Sequence, residues 1–157
     1  MAYEIETRTV AAQPTLYVRD KTTIPNIPRS IGEFLSAVGR HLAEHAITPN
    51  GMPYTRYHAI DGSNIDLEAG MPIGAAVPGS GRVKSGELPG GPVAATVHVG
   101  RYEDLPNAGA ALNAWAAENG KRPTGPNWET YLNDPTEVAG PHEYRTEVVM
   151  PLAQSTA

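Results

Sequence analysis

The feature that most constrains the fold is a pattern of helix caps, turn residues and aromatic residues that recurs 74 positions further along the chain. The pattern holds without a gap from residue 30 to residue 57. The matched pairs are Ser30 and Asp104, Pro49 and Pro123, Gly51 and Gly125, Tyr54 and Trp128, and Tyr57 and Tyr131. Two such blocks within 157 residues predict a tandem repeat.

Each half is predicted to have the order strand–strand–helix–strand–strand, because runs of alternating polar and apolar residues flank each helical segment. Ser30 and Glu33 have the spacing of a capping box, which predicts that the first helix begins at Ser30 and runs to about His45. Asp104 and Gly120 are the predicted N-cap and C-terminal glycine of the second helix.

We therefore expect an α+β fold of two halves related by a pseudo-twofold axis, each an antiparallel sheet covered by one helix. The first half takes about residues 1–80 and the second about residues 81–153, within a single domain over residues 1–157. Two half-sheets that meet in this way leave a groove between the halves, which is a usual position for a small-molecule cavity.

The composition excludes several classes of protein. The chain has no cysteine, which excludes disulfide scaffolds, thiol catalysis and cysteine-ligated zinc. Its formal net charge of -5 gives no electrostatic drive toward nucleic acid, so we expect no direct nucleic-acid binding. No apolar run is long enough to span a membrane, and the N-terminal residues lack the basic and apolar regions of a secretory signal. A cytoplasmic location is the default expectation.

Aromatic residues and one glutamate indicate a binding site. The chain has 7 tyrosines but 1 phenylalanine, which favours rings with polar or ligand-facing edges. Residues 54–57 and 128–131 occupy equivalent places in the two halves and differ chemically at Thr55 against Glu129. A carboxylate between Trp128 and Tyr131 can pair with a cation whose apolar body stacks on the rings.

Six stretches carry a resemblance to a known family. They are G-M-P-Y-T-R-Y-H (51–58), D-L-E-A-G-M-P-I (66–73), H-V-G-R-Y-E-D-L (98–105), N-A-W-A-A-E-N-G (113–120), G-P-N-W-E-T-Y-L-N-D-P (125–135) and T-E-V-V-M-P-L (146–152). In this order they resemble the GyrI-like family, the effector-binding domains of AraC-type and MerR-type activators and of stand-alone gyrase-inhibitor-like proteins. The resemblance implies a duplicated α+β fold with a cavity for amphipathic, cationic or aromatic compounds. Because the chain begins with the first strand, we expect the stand-alone form.

The resemblance also assigns candidate residues. The cavity acid of the W-E-x-Y motif corresponds to Glu129, and the tyrosine of the H-x-G-x-Y motif corresponds to Tyr102. The candidate ligand-binding residues are Glu129, Tyr102, Tyr54, Tyr57, Trp128, Tyr131 and Phe34. Some members of the family hydrolyse strained cyclopropanoid electrophiles, so Glu129 and Tyr102 are also the catalytic candidates if this chain is a hydrolase.

Other polar residues are predicted to be structural. His41 and His45 have a spacing that can bind zinc on a helix, but no third ligand is near them in the sequence. We expect them on an exposed helix face, and we expect no metal or cofactor. Asp66, Glu68 and Glu147 alternate along predicted strands, where most carboxylates face water. For Glu147, which belongs to the T-E-V stretch, a position near the cavity is the alternative.

Three functions remain open at this point. The first is a module that binds or sequesters drug-like small molecules. The second is a hydrolase of a reactive small molecule. The third is an inhibitor of the gyrase type, which acts on a protein partner through its surface; we rank it last because the sequence has no run of acidic residues.

Overall fold

The computed structural model describes residues 3–133 and 135–154. The strands are β1 (Glu6–Val10), β2 (Gln13–Thr23), β3 (Tyr54–Asp61), β4 (Asn64–Pro72), β5 (Lys84–Leu88), β6 (Gly91–Val99), β7 (Trp128–Tyr131) and β8 (Arg145–Pro151), and the helices are α1 (Ile27–Glu44) and α2 (Leu105–Glu118). The chain forms two compact units, a middle unit of residues 12–89 and a terminal unit of residues 1–11 and 90–157. In the part of the chain that the structure describes, neither helix has the length and apolar character needed to cross a membrane.

The middle unit is an antiparallel sheet in the order β3-β4-β2-β5, with α1 on one face. Helix α1 covers this face because its apolar residues recur at helical spacing. Phe34, Val38 and Leu42 of α1 are buried in one cluster with Leu16 and Leu67 from the sheet. Since side chains alternate across a strand, the neighbours of these sheet residues project from the opposite face.

The terminal unit is an antiparallel sheet in the order β1-β6-β8-β7, with α2 on one face. The apolar face of α2 is built largely from small residues. Ala108, Leu112 and Ala116 are buried in a cluster with Val148 and Met150 of β8.

The two units confirm the predicted repeat. Strands β3 and β7 begin 74 positions apart, at Tyr54 and Trp128, and the helices end 74 positions apart, at Glu44 and Glu118. The strand orders β5-β2-β4-β3 and β1-β6-β8-β7 match element by element. The fold is therefore the expected α+β duplication, with one helix on each antiparallel sheet.

Strand β1, the first strand of the first chain half, belongs to the sheet of the terminal unit. Strand β5, the first strand of the second chain half, belongs to the sheet of the middle unit. Strand β1 pairs with β6, with Glu6 opposite Ala95, and β5 pairs with β2, with Lys84 opposite Tyr17. The compact units therefore differ from the chain halves, because β1 and β5 are exchanged between them. The single-domain organisation and its boundary near residue 80 stay predictions.

The first helix begins earlier than the capping-box pattern predicts. Helix α1 begins at Ile27, with Pro28 in its first turn, where a missing N–H group costs no hydrogen bond. Ser30 therefore lies inside the helix, and its Oγ is 2.6 Å from Oγ1 of Thr22 in β2. The predicted capping role of Ser30 is wrong, because its hydroxyl is used to hold the helix against the sheet. The predicted C-terminal glycine is confirmed, since Gly120 follows α2 with a φ of 64°.

Alanine substitutions at two glycines are expected to change the stability of the protein in opposite directions. A Cβ at Gly70 in β4 would lie 2.5 Å from the carbonyl oxygen of Leu16, whereas a Cβ at Gly39 on the exposed side of α1 meets no atom within 4 Å. We expect Gly70→Ala to lower the free energy of unfolding by about 1–3 kcal/mol through overpacking. We expect Gly39→Ala to raise it by about 0.5–1 kcal/mol, because alanine restricts the unfolded chain. Urea denaturation of both variants measures these changes, and a stabilising Gly70→Ala would contradict the close approach of β2 and β4.

Candidate functional site

One face of the terminal unit carries a cluster of three tyrosine rings and a carboxylate, which we call the Glu129 cluster: Glu129, Tyr102, Tyr131 and Tyr144. The hydroxyl of Tyr131 donates to Oε2 of Glu129 at 3.3 Å. The ring of Tyr102 stacks on that of Tyr144, with centroids 4.5 Å apart, and meets the ring of Tyr131 edge-on at 5.7 Å. All four side chains are partly exposed. The cluster therefore combines a negative charge with stacked aromatic faces that a ligand can reach.

The register of β7 and β8 places Glu129 and Tyr131 on the face that α2 covers. Glu129 lies opposite Val148 and Tyr131 lies opposite Thr146, and Val148 belongs to the core beneath α2. Residues directly opposite on antiparallel strands share a face. Glu129 and Tyr131 are also two positions apart on one strand, so their side chains lie on the same side.

Tyr102 comes from the turn between β6 and α2, and several hydrogen bonds hold that turn. The amide of Gly100, which has a φ of 136°, donates to the carbonyl of Tyr144 at 2.8 Å. Nε2 of His98 donates to the carbonyl of Arg101 at 3.0 Å, which leaves Nδ1 to accept from the Tyr3 hydroxyl at 2.8 Å. His98 is thus held as one tautomer, and it positions the residue that precedes Tyr102.

A buried hydroxyl adjoins the cluster. Thr146 is 0% exposed and lies opposite both Tyr131 and His98 in the sheet. Its Oγ1 has no hydrogen-bond partner among the described residues. An unpartnered buried hydroxyl is costly in a folded protein, so this position favours a bound water or a polar group of a ligand.

A cleft of about 1060 Å³ lies at the β1 side of the terminal unit. Tyr3, His98 and Asp104 line it beside the N-terminal end of α2, and Glu6 and Glu147 line it further along. Its lining residues include none of the Glu129 cluster. His98 links the cleft to the cluster, because it lines the cleft and also binds the carbonyl of Arg101, next to Tyr102.

The middle unit holds a second polar arrangement, on the sheet face opposite α1. We call it the Glu68 network: Thr15, Tyr54, Arg56, His58 and Glu68. Glu68 is 1% exposed, and its Oε1 accepts from Nε2 of His58 at 2.7 Å and from Nε of Arg56 at 3.1 Å. Its Oε2 accepts from Nη2 of Arg56 at 3.3 Å and from the hydroxyl of Tyr54. Thr15 Oγ1 lies 3.2 Å from the same tyrosine hydroxyl.

The surroundings of two groups on this face shift their pKa values. Burial raises the pKa of Tyr54 far above its ordinary value, and the negative charge of Glu68 raises it further. The guanidinium of Arg19 lowers the pKa of Asp66 through two hydrogen bonds, at 2.9 and 2.8 Å. Tyr54 is thus held neutral as a donor, and Asp66 is held ionised.

The whole described fold is covered by one family model, the GyrI-like small molecule binding domain, which matches residues 1–153. The chain belongs to this family. No curated protein sequence matches it.

Solved structures share the fold of this GyrI-like domain at low identity. The C-terminal domain of EcmrR is 20% identical, with a TM-score of 0.85, and the match covers 99% of this chain and 100% of that domain. EcmrR in a complex with DNA is 19% identical with a TM-score of 0.85, and the match covers 99% of this chain but 59% of that longer chain.

Two further solved structures share the fold at lower TM-scores. A hydrolase from Listeria innocua is 16% identical, with a TM-score of 0.70, over 97% of this chain and 93% of its own. SAV2435, in a structure bound to tetraphenylphosphonium, is 12% identical, with a TM-score of 0.60, over 98% of this chain and 94% of its own.

In this GyrI-like domain the candidate residues named from the sequence divide into two groups. Glu129, Tyr102 and Tyr131 lie together in the Glu129 cluster. Trp128 is buried in the same unit, opposite Val149 on the face away from α2.

The other candidates belong to the middle unit. Tyr54 is buried in the Glu68 network, where its hydroxyl donates a hydrogen bond to Glu68. Tyr57 packs against the core beneath α1, and Phe34 lies in that core. The guanidinium of Arg82 lies 5.6 Å from the centre of the Phe34 ring. Their role as ligand-binding residues stays a prediction.

Sequence reasoning missed several members of both arrangements. Tyr144 is not among the candidates named from the sequence, because its contact with Tyr102 depends on tertiary structure. Glu68 is predicted to face water, which is wrong, because three donors from β3 enclose it. The spacing of Tyr54, Arg56 and His58 at every second position is the signal that could have indicated a polar strand face.

The histidine pair on α1 lies differently from the expectation. His41 is buried, at 6% exposed, and its ring stacks on that of the exposed His45 at 4.2 Å. The expected exposed face is therefore wrong for His41, whose position on the helix is next to the core residue Leu42. Within residues 3–133 and 135–154, no three histidine or acidic side chains come together as a metal site would require.

Proposed function

We propose that this small-molecule-binding domain takes amphipathic aromatic cations, and that the Glu129 cluster is where it binds them. The observation that carries the proposal is the carboxylate of Glu129 hydrogen-bonded to Tyr131, whose ring meets the stacked pair of Tyr102 and Tyr144 edge-on at Tyr102. A carboxylate supplies charge pairing, and tyrosine faces attract a cation through the ring quadrupole. Aromatic rings also cover the apolar body of the ligand, which a lone surface carboxylate cannot do.

The partly exposed state of the cluster supports reversible binding. A fully buried carboxylate has to be neutralised by a charged protein group, as Glu68 is by Arg56. Glu129 is partly exposed, and the Tyr131 hydroxyl donates to its Oε2 and orients the carboxylate. The bound tetraphenylphosphonium of the SAV2435 structure is an aromatic cation of the proposed class.

Calorimetric titration of the wild-type protein tests this function. The probes are tetraphenylphosphonium and its neutral relative triphenylphosphine oxide, at low and high salt. We expect saturable binding of the cation, with weaker binding of the neutral compound. Binding of the two with equal affinity would contradict recognition of charge, and no heat from either would remove aromatic cations as the ligand class.

Chromatography of the recovered ligand separates binding from turnover. We expect the cation to be recovered intact. The hydrolase function is the second candidate, and the hydrogen bond between Tyr131 and Glu129 favours it, because a phenol beside a carboxylate can serve as an acid–base pair. Incubation with a cyclopropane-bearing electrophile tests it, and ring-opened product that is lost in Glu129→Gln and in Tyr102→Phe would support Glu129 as the base and Tyr102 as a proton donor.

A further inference from the structure

We propose that the middle unit holds a general-base site for the hydrolysis of activated aryl esters, in which His58 is the base, Glu68 orients it and Arg56 binds the ester oxygen. This site is independent of the Glu129 cluster, which lies in the other unit. The inference rests on the hydrogen bonds, burial and strand register of the Glu68 network.

The hydrogen bond to Glu68 determines which nitrogen of His58 can act as a base. A carboxylate accepts hydrogen bonds, so Nε2 of His58 carries the proton that it donates to Oε1 at 2.7 Å. In the neutral imidazole, Nδ1 then has the free lone pair. Nδ1 accepts no hydrogen bond from the described residues and is not among their buried unpartnered atoms, so it faces solvent. An imidazole oriented by a carboxylate is the arrangement that hydrolases use to take a proton from a nucleophile.

A break in the strand register aims His58 at Glu68. Tyr57 lies opposite Leu67 and Ala59 lies opposite Asp66, so His58 is an extra residue in β3. Such a bulge disrupts the ladder locally, and bulges of this kind are common next to active sites because they redirect a side chain. The bulge sets Glu68 opposite its charged partner Arg56. It also brings His58 to the same carboxylate.

Arg56 supplies the second part of the site. Its Nε and Nη2 are bound to Glu68, which leaves Nη1 for a substrate oxygen. The side chains of Arg56 and His58 are each 15% exposed, while that of Glu68 is 2% exposed. Arg56 and His58 therefore both bind the buried Glu68, and each still exposes part of its side chain to solvent. Tyr17 lies on the same sheet face, opposite Gly70, and offers a ring for an aryl group.

The reaction follows from these positions. Nδ1 of His58 takes a proton from water as the water oxygen bonds to the ester carbonyl carbon. The carbonyl oxygen becomes an oxyanion, which accepts hydrogen bonds from Nη1 of Arg56. The intermediate collapses, the carbon–oxygen bond to the aryl group breaks, and the phenolate takes the proton back from His58. The products are a carboxylic acid and a phenol.

Hydrolysis of phenyl acetate tests the proposal with His58→Gln and a matched control, His142→Gln. His142 is exposed in the terminal unit. We expect His58→Gln to lower kcat/KM by about 10²-fold and His142→Gln to leave it unchanged, with both variants folded by circular dichroism. Equal rates in wild type and His58→Gln, or equal losses in both variants, would overturn the proposal.

Two measurements on the wild-type protein test the proposal without any variant. Nitrogen-15 NMR is expected to show His58 protonated at Nε2 and bare at Nδ1, as the Glu68 contact requires; the opposite tautomer would overturn the assignment of the base. The hydrolysis is expected to be slower in D₂O, because a proton moves in the transition state. A burst of phenol with an acetylated histidine would instead make His58 a nucleophile and overturn the general-base role.

Discussion

Glu68→Gln is expected to lower the free energy of unfolding by about 3–5 kcal/mol, because it leaves the Arg56 charge without its buried counter-charge. The carboxylate is 1% exposed and accepts hydrogen bonds from Tyr54, Arg56 and His58. Glutamine keeps the size of the side chain and one acceptor oxygen but removes the negative charge. Urea denaturation followed by circular dichroism measures the change.

The matched control is Asp66→Asn on the same strand. Asp66 pairs with Arg19, whose side chain is 45% exposed, so water compensates the loss of the pair. We expect a loss of less than about 1 kcal/mol. Because Arg19 lowers the pKa of Asp66 in the folded protein, this small contribution is present at neutral pH and is lost as the pH falls through the folded value. Equal losses of unfolding free energy in the two variants would show that burial of the Glu68 network does not increase the cost of removing the carboxylate charge.

Glu129→Gln is expected to weaken the binding of tetraphenylphosphonium by about tenfold to 10²-fold, equivalent to roughly 1.4–2.8 kcal/mol. Glutamine can still accept the hydrogen bond of Tyr131, and the three rings stay in place, so the variant removes the charge term. The effect exceeds that of an exposed ion pair, because the rings displace water from around the bound cation. Calorimetric titration at constant salt measures it.

Two controls separate charge pairing from a general disturbance of the site. Glu137→Gln removes an exposed carboxylate from the same unit and is expected to leave cation affinity unchanged. Triphenylphosphine oxide is expected to bind Glu129→Gln and wild type equally well. A similar loss in Glu137→Gln would assign the effect to the net charge of the protein, and a similar loss for the neutral ligand would assign it to altered packing.

The predictable part of the candidate site is the part that lies within one strand. Glu129 and Tyr131 are two positions apart, and the period of a strand puts both on one face whatever the tertiary structure. Tyr144 reaches Tyr102 through the pairing of β6 with β8 and a backbone hydrogen bond from Gly100. That contact depends on how distant segments meet, and no local pattern carries it.

One extra residue in β3, His58, explains why the prediction that Glu68 faces water is wrong. The hairpin between β3 and β4 turns after Asp61, and a regular ladder from that turn would set Glu68 opposite Tyr57. The extra residue at His58 sets Glu68 opposite Arg56 instead. Because side chains alternate, a slip of one residue moves every side chain beyond it to the other face. Glu68 thereby becomes the buried partner of Arg56.

Local periodicity and turn chemistry by themselves determined that this chain is a duplicated α+β protein, since strand alternation, the helix stripes and the residues that end each element act over a few residues. The tertiary structure decided which strands complete each sheet, where β1 joins β6 and β5 joins β2. It also decided which polar groups are buried. Strand pairing and burial depend on contacts between distant segments, whose energies exist only when the chain has folded.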